Sequence, residues 1–342
     1  MLKKTLAVSA TLAVLAAKVM AWDYDGHRAI NQLALASLPA DFGGFKLTPA
    51  MKERVAFLAG EADRWRNVGD LPLKHVNGPD HYIDLEDLNW YGLTPETLPL
   101  LRYDFVAIIA RERAAHPEKF PAIDPARDAD HTRELSGFLP WAITENYDKL
   151  KSCFSYLKTF QKYGGTREEI ANAEADVVYV MGVMGHYVGD GAQPLHTTMH
   201  YNGWVGNNPQ GYTTNRSFHG WIDGGYFRQI GGIDVKTLTE KIHPAERIKN
   251  AGEPDGMFRD AVAYLAAQNK LVEPLYKLEK EGKLTGEGEK GLEGRAFLDG
   301  QLVKAGQMLG DIWHTAWLEA PEDQYLQKEL QARNAGRPAT GK

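Results

Sequence analysis

The chain has 342 residues, with 39 Lys and Arg against 45 Asp and Glu, a formal net charge of −6 and one cysteine. An acidic chain without a basic stripe excludes nucleic-acid binding by phosphate neutralisation alone, and a single cysteine excludes an internal disulfide. The length is ample for a core, as one large domain or two smaller ones.

Residues 1–21 read as a secretory signal peptide. Lys3 and Lys4 precede the apolar run "TLAVSATLAVLAA", and Val19-Met20-Ala21 offers small residues for cleavage after Ala21. The protein is therefore expected to be secreted or periplasmic. Cleavage would remove Lys3, Lys4 and Lys18, take the formal charge from −6 to −9 and leave Trp22 with a free α-amine. No other apolar stretch is long enough for stable membrane insertion.

Periodicity in the rest is mostly helical. "HRAINQLALASL" (27–38) repeats apolar residues at helical spacing, and "TPAMKERVAFLAGEADRWR" (48–66) opens on a Thr-Pro start signal. A long helix is expected just after Pro140, within 135–163. Residues 166–190 open on a capping box, Thr166 to Glu169. Further helical segments cover 255–280 and 294–320. Long Gly/Pro/Asn/Asp-rich loops are expected at about 67–95, 116–133 and 197–232, and a polar, frayed tail at 323–342. The expectation is an all-α fold: a single helical domain, 22–322, with long functional loops and scarce strand-like alternation.

The stretch "HYVGDGAQPLH" (186–196) concentrates metal-capable side chains. His186 and Asp190 stand four apart on one helix face, roughly 6 Å apart at Cβ. Gly191 and Pro194 turn the chain so that His196 could return to the same place. "FHGWID" repeats the spacing with His219 and Asp223. Upstream, "GEADRWR" supplies Asp63 with Arg66 one turn on, and "PDHYIDLED" supplies His81 with Tyr82 and Asp84. "WDYDGH" places His27 five residues after Trp22, whose freed amine and carbonyl could chelate a metal. A single His-x3-Asp pair is more often a hydrogen bond than a ligand set. This many histidines and aspartates in one order point to several metals in one cleft, with the His/carboxylate chemistry of hydrolytic zinc.

The pattern resembles the zinc-dependent single-strand nucleases of the S-one/P-one type, a superfamily shared with bacterial zinc-dependent phospholipase C. The resemblance covers nearly the whole chain after Ala21 and rests on the spacing 186–190–196–219–223. It implies a mainly helical fold around a cleft holding three Zn2+ ions. One zinc would take Asp63, His81, His186 and Asp190; a second His196, His219 and Asp223; a third the amine and carbonyl of Trp22 with His27, sharing Asp190. It also implies hydrolysis of single-stranded DNA and RNA to 5′-phosphate products by zinc-activated hydroxide, with 3′-nucleotidase activity as a companion. Asp63 would orient the nucleophile and Arg66 would hold the developing charge, unless Arg66 only pairs with Glu61 or Asp70 on the helix surface. Tyr82 would stack on a base and Asp84 would bond its edge, the alternatives being a core Tyr82 and a loop-capping Asp84. The "NPQG" run at 208–211 looks like the phospholipase version of the loop, so a phospholipase C acting on phospholipid headgroups is the alternative. A purely structural zinc protein is the third class, although closed tetrahedra do not suit a bridging aspartate. Cys153, Trp313 and Trp317 read as core residues.

Overall fold

The computed structural model describes residues 22–336. The signal-peptide assignment for residues 1–21 and the end of the tail lie outside them. In chain order the helices are α1 (Tyr24–Ser37), α2 (Pro49–Leu58), α3 (Glu61–Asn67), α4 (Leu71–Asn77), α5 (Arg102–Ala115), α6 (Leu139–Tyr163), α7 (Arg167–Ala192), α8 (Phe218–Gly220), α9 (Tyr226–Gln229), α10 (Val235–Thr239), α11 (Gly256–Asn269), α12 (Val272–Lys280), α13 (Gly288–Leu292), α14 (Arg295–Glu319) and α15 (Gln324–Asn334). Among the described residues there is no β-strand, only an isolated bridge between Tyr201 and Gly203. The all-α, single-domain expectation is met. No described helix is long and apolar enough to cross a membrane.

The core is organised around α7. Its capping box forms as the sequence implied: Thr166 Oγ1 accepts from the Glu169 amide, and the Glu169 carboxylate accepts from the Thr166 amide. From Met181 to Ala192 every residue of this helix is buried, enclosed by α1, α2, α6, α11 and α14. A helix apolar on one stripe needs cover on one side; this one is covered all round, so whatever polar groups it carries there must be partnered inside the protein. Close approach needs small residues. A Cβ at Gly185 would overlap the side-chain oxygen of Asn31 on α1, and one at Gly189 would stand 2.9 Å from His27 Nδ1. Asn31 uses that proximity to donate to the Val55 carbonyl at 2.8 Å and the Gly182 carbonyl at 3.0 Å, tying α1, α2 and α7 together.

Several expected boundaries move. The segment 48–66 is two helices, α2 and α3, broken at Ala59-Gly60. The break exposes the Ala59 carbonyl, which accepts from His186 Nδ1 at 2.7 Å. The segment 255–280 likewise divides into α11 and α12; at the break the Asn269 side chain donates to the Thr197 carbonyl. The 67–95 loop contains α4, and 197–232 contains α8, α9 and an intervening π turn at Trp221–Gly225. α4 buries no residue and α5 buries only Phe105 and Ile109, so neither shows an apolar stripe. The tail is not frayed up to Asn334: Asp323 caps α15, Leu330 is buried, and Arg333 pairs with Glu169 at 2.8 Å.

Replacing Gly185 by Ala should force Asn31 out of its place between α1 and α7. The expected loss is about 1–3 kcal/mol of unfolding free energy, measured by urea denaturation.

Candidate metal centre

Every His and Asp ligand candidate from the sequence arrives at one place. α1 brings His27, α3 brings Asp63, the 3-10 turn Gly78–His81 brings His81, and α7 brings His186 and Asp190. The turn Pro194–Thr197 brings His196, α8 brings His219 and the π turn brings Asp223. All are less than one-twentieth exposed. A π turn widens the helix by one residue and re-aims a side chain, which explains Asp223 pointing inward beside His219.

Three groups have ligand atoms close enough to hold a metal ion: His27 with His186 and Asp190; Asp63 with His81 and His186; His196 with His219 and Asp223. Asp190 lies between them. Its Oδ1 is 3.4 Å from His27 Nε2 and 4.0 Å from His196 Nδ1, and its Oδ2 is 2.9 Å from His81 Nδ1 and 3.4 Å from His186 Nε2. In the second group His186 Nε2 is 3.8 Å from Asp63 Oδ1 and 3.0 Å from His81 Nδ1. In the third, His219 Nε2 is 2.9 Å from His196 Nε2 and 3.1 Å from Asp223 Oδ2. Ligands about 2.0–2.1 Å from a tetrahedral ion stand about 3.3–3.4 Å apart, so the spacings suit such an ion.

The outer contacts fix which ring nitrogen is available. His186 Nδ1 donates to the Ala59 carbonyl at 2.7 Å and His196 Nδ1 donates to the His81 carbonyl at 2.6 Å. Each leaves Nε2 unprotonated and turned towards the centre, the arrangement expected of a metal-ligating histidine. Gln193 is fully buried; its amide donates to Asp223 Oδ1 at 2.8 Å and its Oε1 accepts from the Leu195 amide. That leaves Asp223 Oδ2 facing His219. Asp223 Oδ2, Asp190 Oδ1 and His81 Nε2 have no hydrogen-bond partner although buried. Buried polar atoms without partners are costly, and a cation at the centre would satisfy the two carboxylate oxygens.

Burial sets the ionisation of the group. It pushes the His186 ring down to about 4 and those of His196 and His219 down to about 3, so all are neutral near pH 7. Burial raises Asp190 to about 6 and lifts Asp223 well above the usual carboxylate range. Asp63 behaves differently: burial would raise it, but His186, charged in the acid range where Asp63 titrates, and the Arg66 guanidinium hold it below the ordinary value. Arg66 Nε donates to Asp63 Oδ1 at 2.7 Å.

Above the centre opens a cleft of about 530 Å3, lined by His81, His196 and His219 on its floor and by Arg66, Tyr82, Asp84 and Tyr201 on its walls. The Tyr82 hydroxyl donates to the Leu135 carbonyl at 3.2 Å, fixing the ring; the ring is half-buried, so it is not a core residue. Asp84 sits beside Asp87 and Glu86, and burial together with those carboxylates raises it well above the usual range. Trp22 is buried away from the cleft, its indole donating to the Gly189 carbonyl at 3.0 Å, which keeps residue 22 beside the end of α7 near His27. His200 stacks on Trp204 at 3.9 Å, and Asn208 closes a turn with Tyr212, so both are parts of the 200–212 loop. Asn202 accepts from the His219 amide at 3.3 Å. Gln193, Tyr201 and the Ala59 carbonyl escaped the sequence reading; only the place of Gln193 between two ligands hinted at it.

No protein-family model and no curated protein matches the sequence.

Divalent metal needs ionised carboxylates and neutral imidazoles. The rings stay neutral down to about 4, whereas Asp190 takes up a proton below about 6. Zn2+ loading at pH 5.5 should therefore release more protons than at pH 8, and affinity should weaken as pH falls through 6. Calorimetric titration in buffers of different ionisation enthalpy measures this; equal proton release at both pH values would contradict it.

Proposed function

We propose that the protein is a zinc-dependent phosphodiesterase of the single-strand nuclease type, acting on single-stranded DNA and RNA and giving 5′-phosphate products, with 3′-nucleotidase activity possible for the same site. The observation that carries the reading is the shared Asp190, whose two carboxylate oxygens face different histidine groups. A purely structural ion is closed off by its own ligands and has no use for a bridging carboxylate under an open cleft. Asp63, His81, His186 and Asp190 would hold one ion, His196, His219 and Asp223 a second, and the Trp22 terminus with His27 and Asp190 a third. Bound zinc would supply Lewis acidity, lowering the pKa of water towards ~7 and offsetting phosphate charge.

The chain's own groups do the rest. Asp63, held ionised by Arg66, orients the attacking water. Arg66, fixed by its Nε bond to Asp63, faces the cleft to hold charge developing on the phosphate oxygens. Water attacks phosphorus in line, the P–O3′ bond breaks, and the 3′ oxygen takes a proton. Tyr82, pinned at its hydroxyl, offers a ring face to a splayed base, worth ~1–3 kcal/mol, and Asp84 meets the base edge. A duplex offers no such unstacked base.

A phospholipase C reading has one observation of its own. Leu71, Leu73 and Val76 on α4 are exposed, and Lys74 of that helix lines the cleft. An apolar rim could meet a lipid surface.

Protein beginning at Trp22 should release nucleotides from single-stranded DNA, lose that activity to a chelator and regain it with Zn2+. Phosphocholine release from short-chain phosphatidylcholine, without nucleotide release, would replace this reading with the phospholipase one. Arg66→Ala should lower kcat about 100-fold or more with zinc content unchanged. One extra residue before Trp22 should lower the bound zinc, by elemental analysis, from three ions to two; three ions in that variant would remove Trp22 from the ligand set.

A further inference from the structure

Beside the cleft lies a second cavity of about 340 Å3. The two share Asp87, Arg127, Arg133 and Leu135 on their walls. The second cavity adds an aromatic and apolar wall, Trp90, Tyr91 and Pro121, and a charged rim in which Arg113 pairs with Glu134 at 4.0 Å and Arg127 with Asp124 at 3.6 Å. Its size falls in the range of small-ligand sites, about 300–1,000 Å3.

The wall between the cavities is held by an ordered set of bonds. Asp84 N donates to the Ser136 carbonyl at 2.7 Å, and Ser136 Oγ donates to Asp87 Oδ2 at 3.1 Å. The Asp128 carboxylate accepts from the amides of Thr132 and Arg133 at 3.0 Å, and Lys74 pairs with Asp130 at 2.9 Å. Arg133 Nε donates to the Arg127 carbonyl at 3.3 Å, setting the Arg133 side chain against the backbone of residue 127. Asp87 is 8 % exposed, yet its Oδ1 has no hydrogen-bond partner. An acceptor so placed is suited to an N–H donor brought by a ligand. Basic groups at the mouth, an aromatic wall and a buried acceptor are what a nucleotide engages through phosphate, ring face and amino edge.

We propose that this second cavity binds a second nucleotide of a single-stranded substrate, with its phosphate against Arg127 and Arg133 and its base against Trp90 and Asp87. The inference rests on the nuclease reading and extends it: the enzyme grips a strand across at least two nucleotides, so it favours oligonucleotides over single-nucleoside esters.

The test uses the zinc-loaded protein beginning at Trp22, with an oligothymidylate octamer and with thymidine 3′-(4-nitrophenyl phosphate), a diester carrying one nucleoside. Arg127→Ala is safe for folding because that side chain is 83 % exposed. Arg127→Ala and Trp90→Leu should each raise KM for the octamer about tenfold while leaving the one-nucleoside ester within about twofold. Wild-type cleavage of both substrates with octamer KM unchanged in both variants would overturn the second-nucleotide site and leave the nuclease reading intact. Equal losses on both substrates would also overturn it, since the cavity would then be part of the first site. No wild-type cleavage of any nucleic acid would overturn the nuclease reading and this inference together.

Discussion

Asp190 is a fully buried carboxylate inside the most enclosed stretch of helix among the described residues. Removing such a group from water costs several kcal/mol unless opposite charge and hydrogen bonds compensate. The surrounding histidines are themselves pushed towards neutrality by burial, so they cannot supply that charge near pH 7. The site is therefore short of positive charge at its middle: Arg66 bonds to Asp63 and acts on Asp190 through space. Everything around α7 follows from this arrangement: the glycines that admit α1, the break between α2 and α3, and the turn after Ala192 each bring a group to bear on Asp190 or on its neighbours.

The candidate ligands were legible because their chemistry is carried by residue type at helical spacing. His186 with Asp190, and His219 with Asp223, are both four apart, and both pairs converge. What spacing could not convey was the second layer. The Ala59 carbonyl becomes an acceptor only because the helix breaks there, and periodicity ran straight through it. Gln193 reads in sequence as a loop residue before proline, yet it is fully buried and aims Asp223. Asp223 itself sits in a π turn, which no 3.6-residue period anticipates.

Fold class was legible for a similar reason. The long helices α6, α7 and α14 carry continuous apolar faces, and their assignment needed only periodicity. α4 and α5 were missed because they bury almost nothing and so lack a stripe. α15 was missed because it is polar and is held by its ends: the Asp323 cap at one, Arg333 on Glu169 and Asn334 on the Tyr163 carbonyl at the other. Local propensity said tail; a local cap and two tertiary contacts said helix.

The order of the chain also constrains when the centre can form. Its side chains are all present once residue 223 has been made, but α1 and α7 pack against α14, which begins at Arg295. Until that helix exists, Leu33, Ala34 and the buried half of α7 lack a wall, and the glycine-admitted contact between His27 and α7 has nothing pressing it shut. Contacts that close loops this long are slow to form and are made late. A growing chain would thus expose its histidines as separate, flexible donors throughout most of synthesis. The full set of metal-capable side chains would come together only in the finished molecule, in one late, cooperative step.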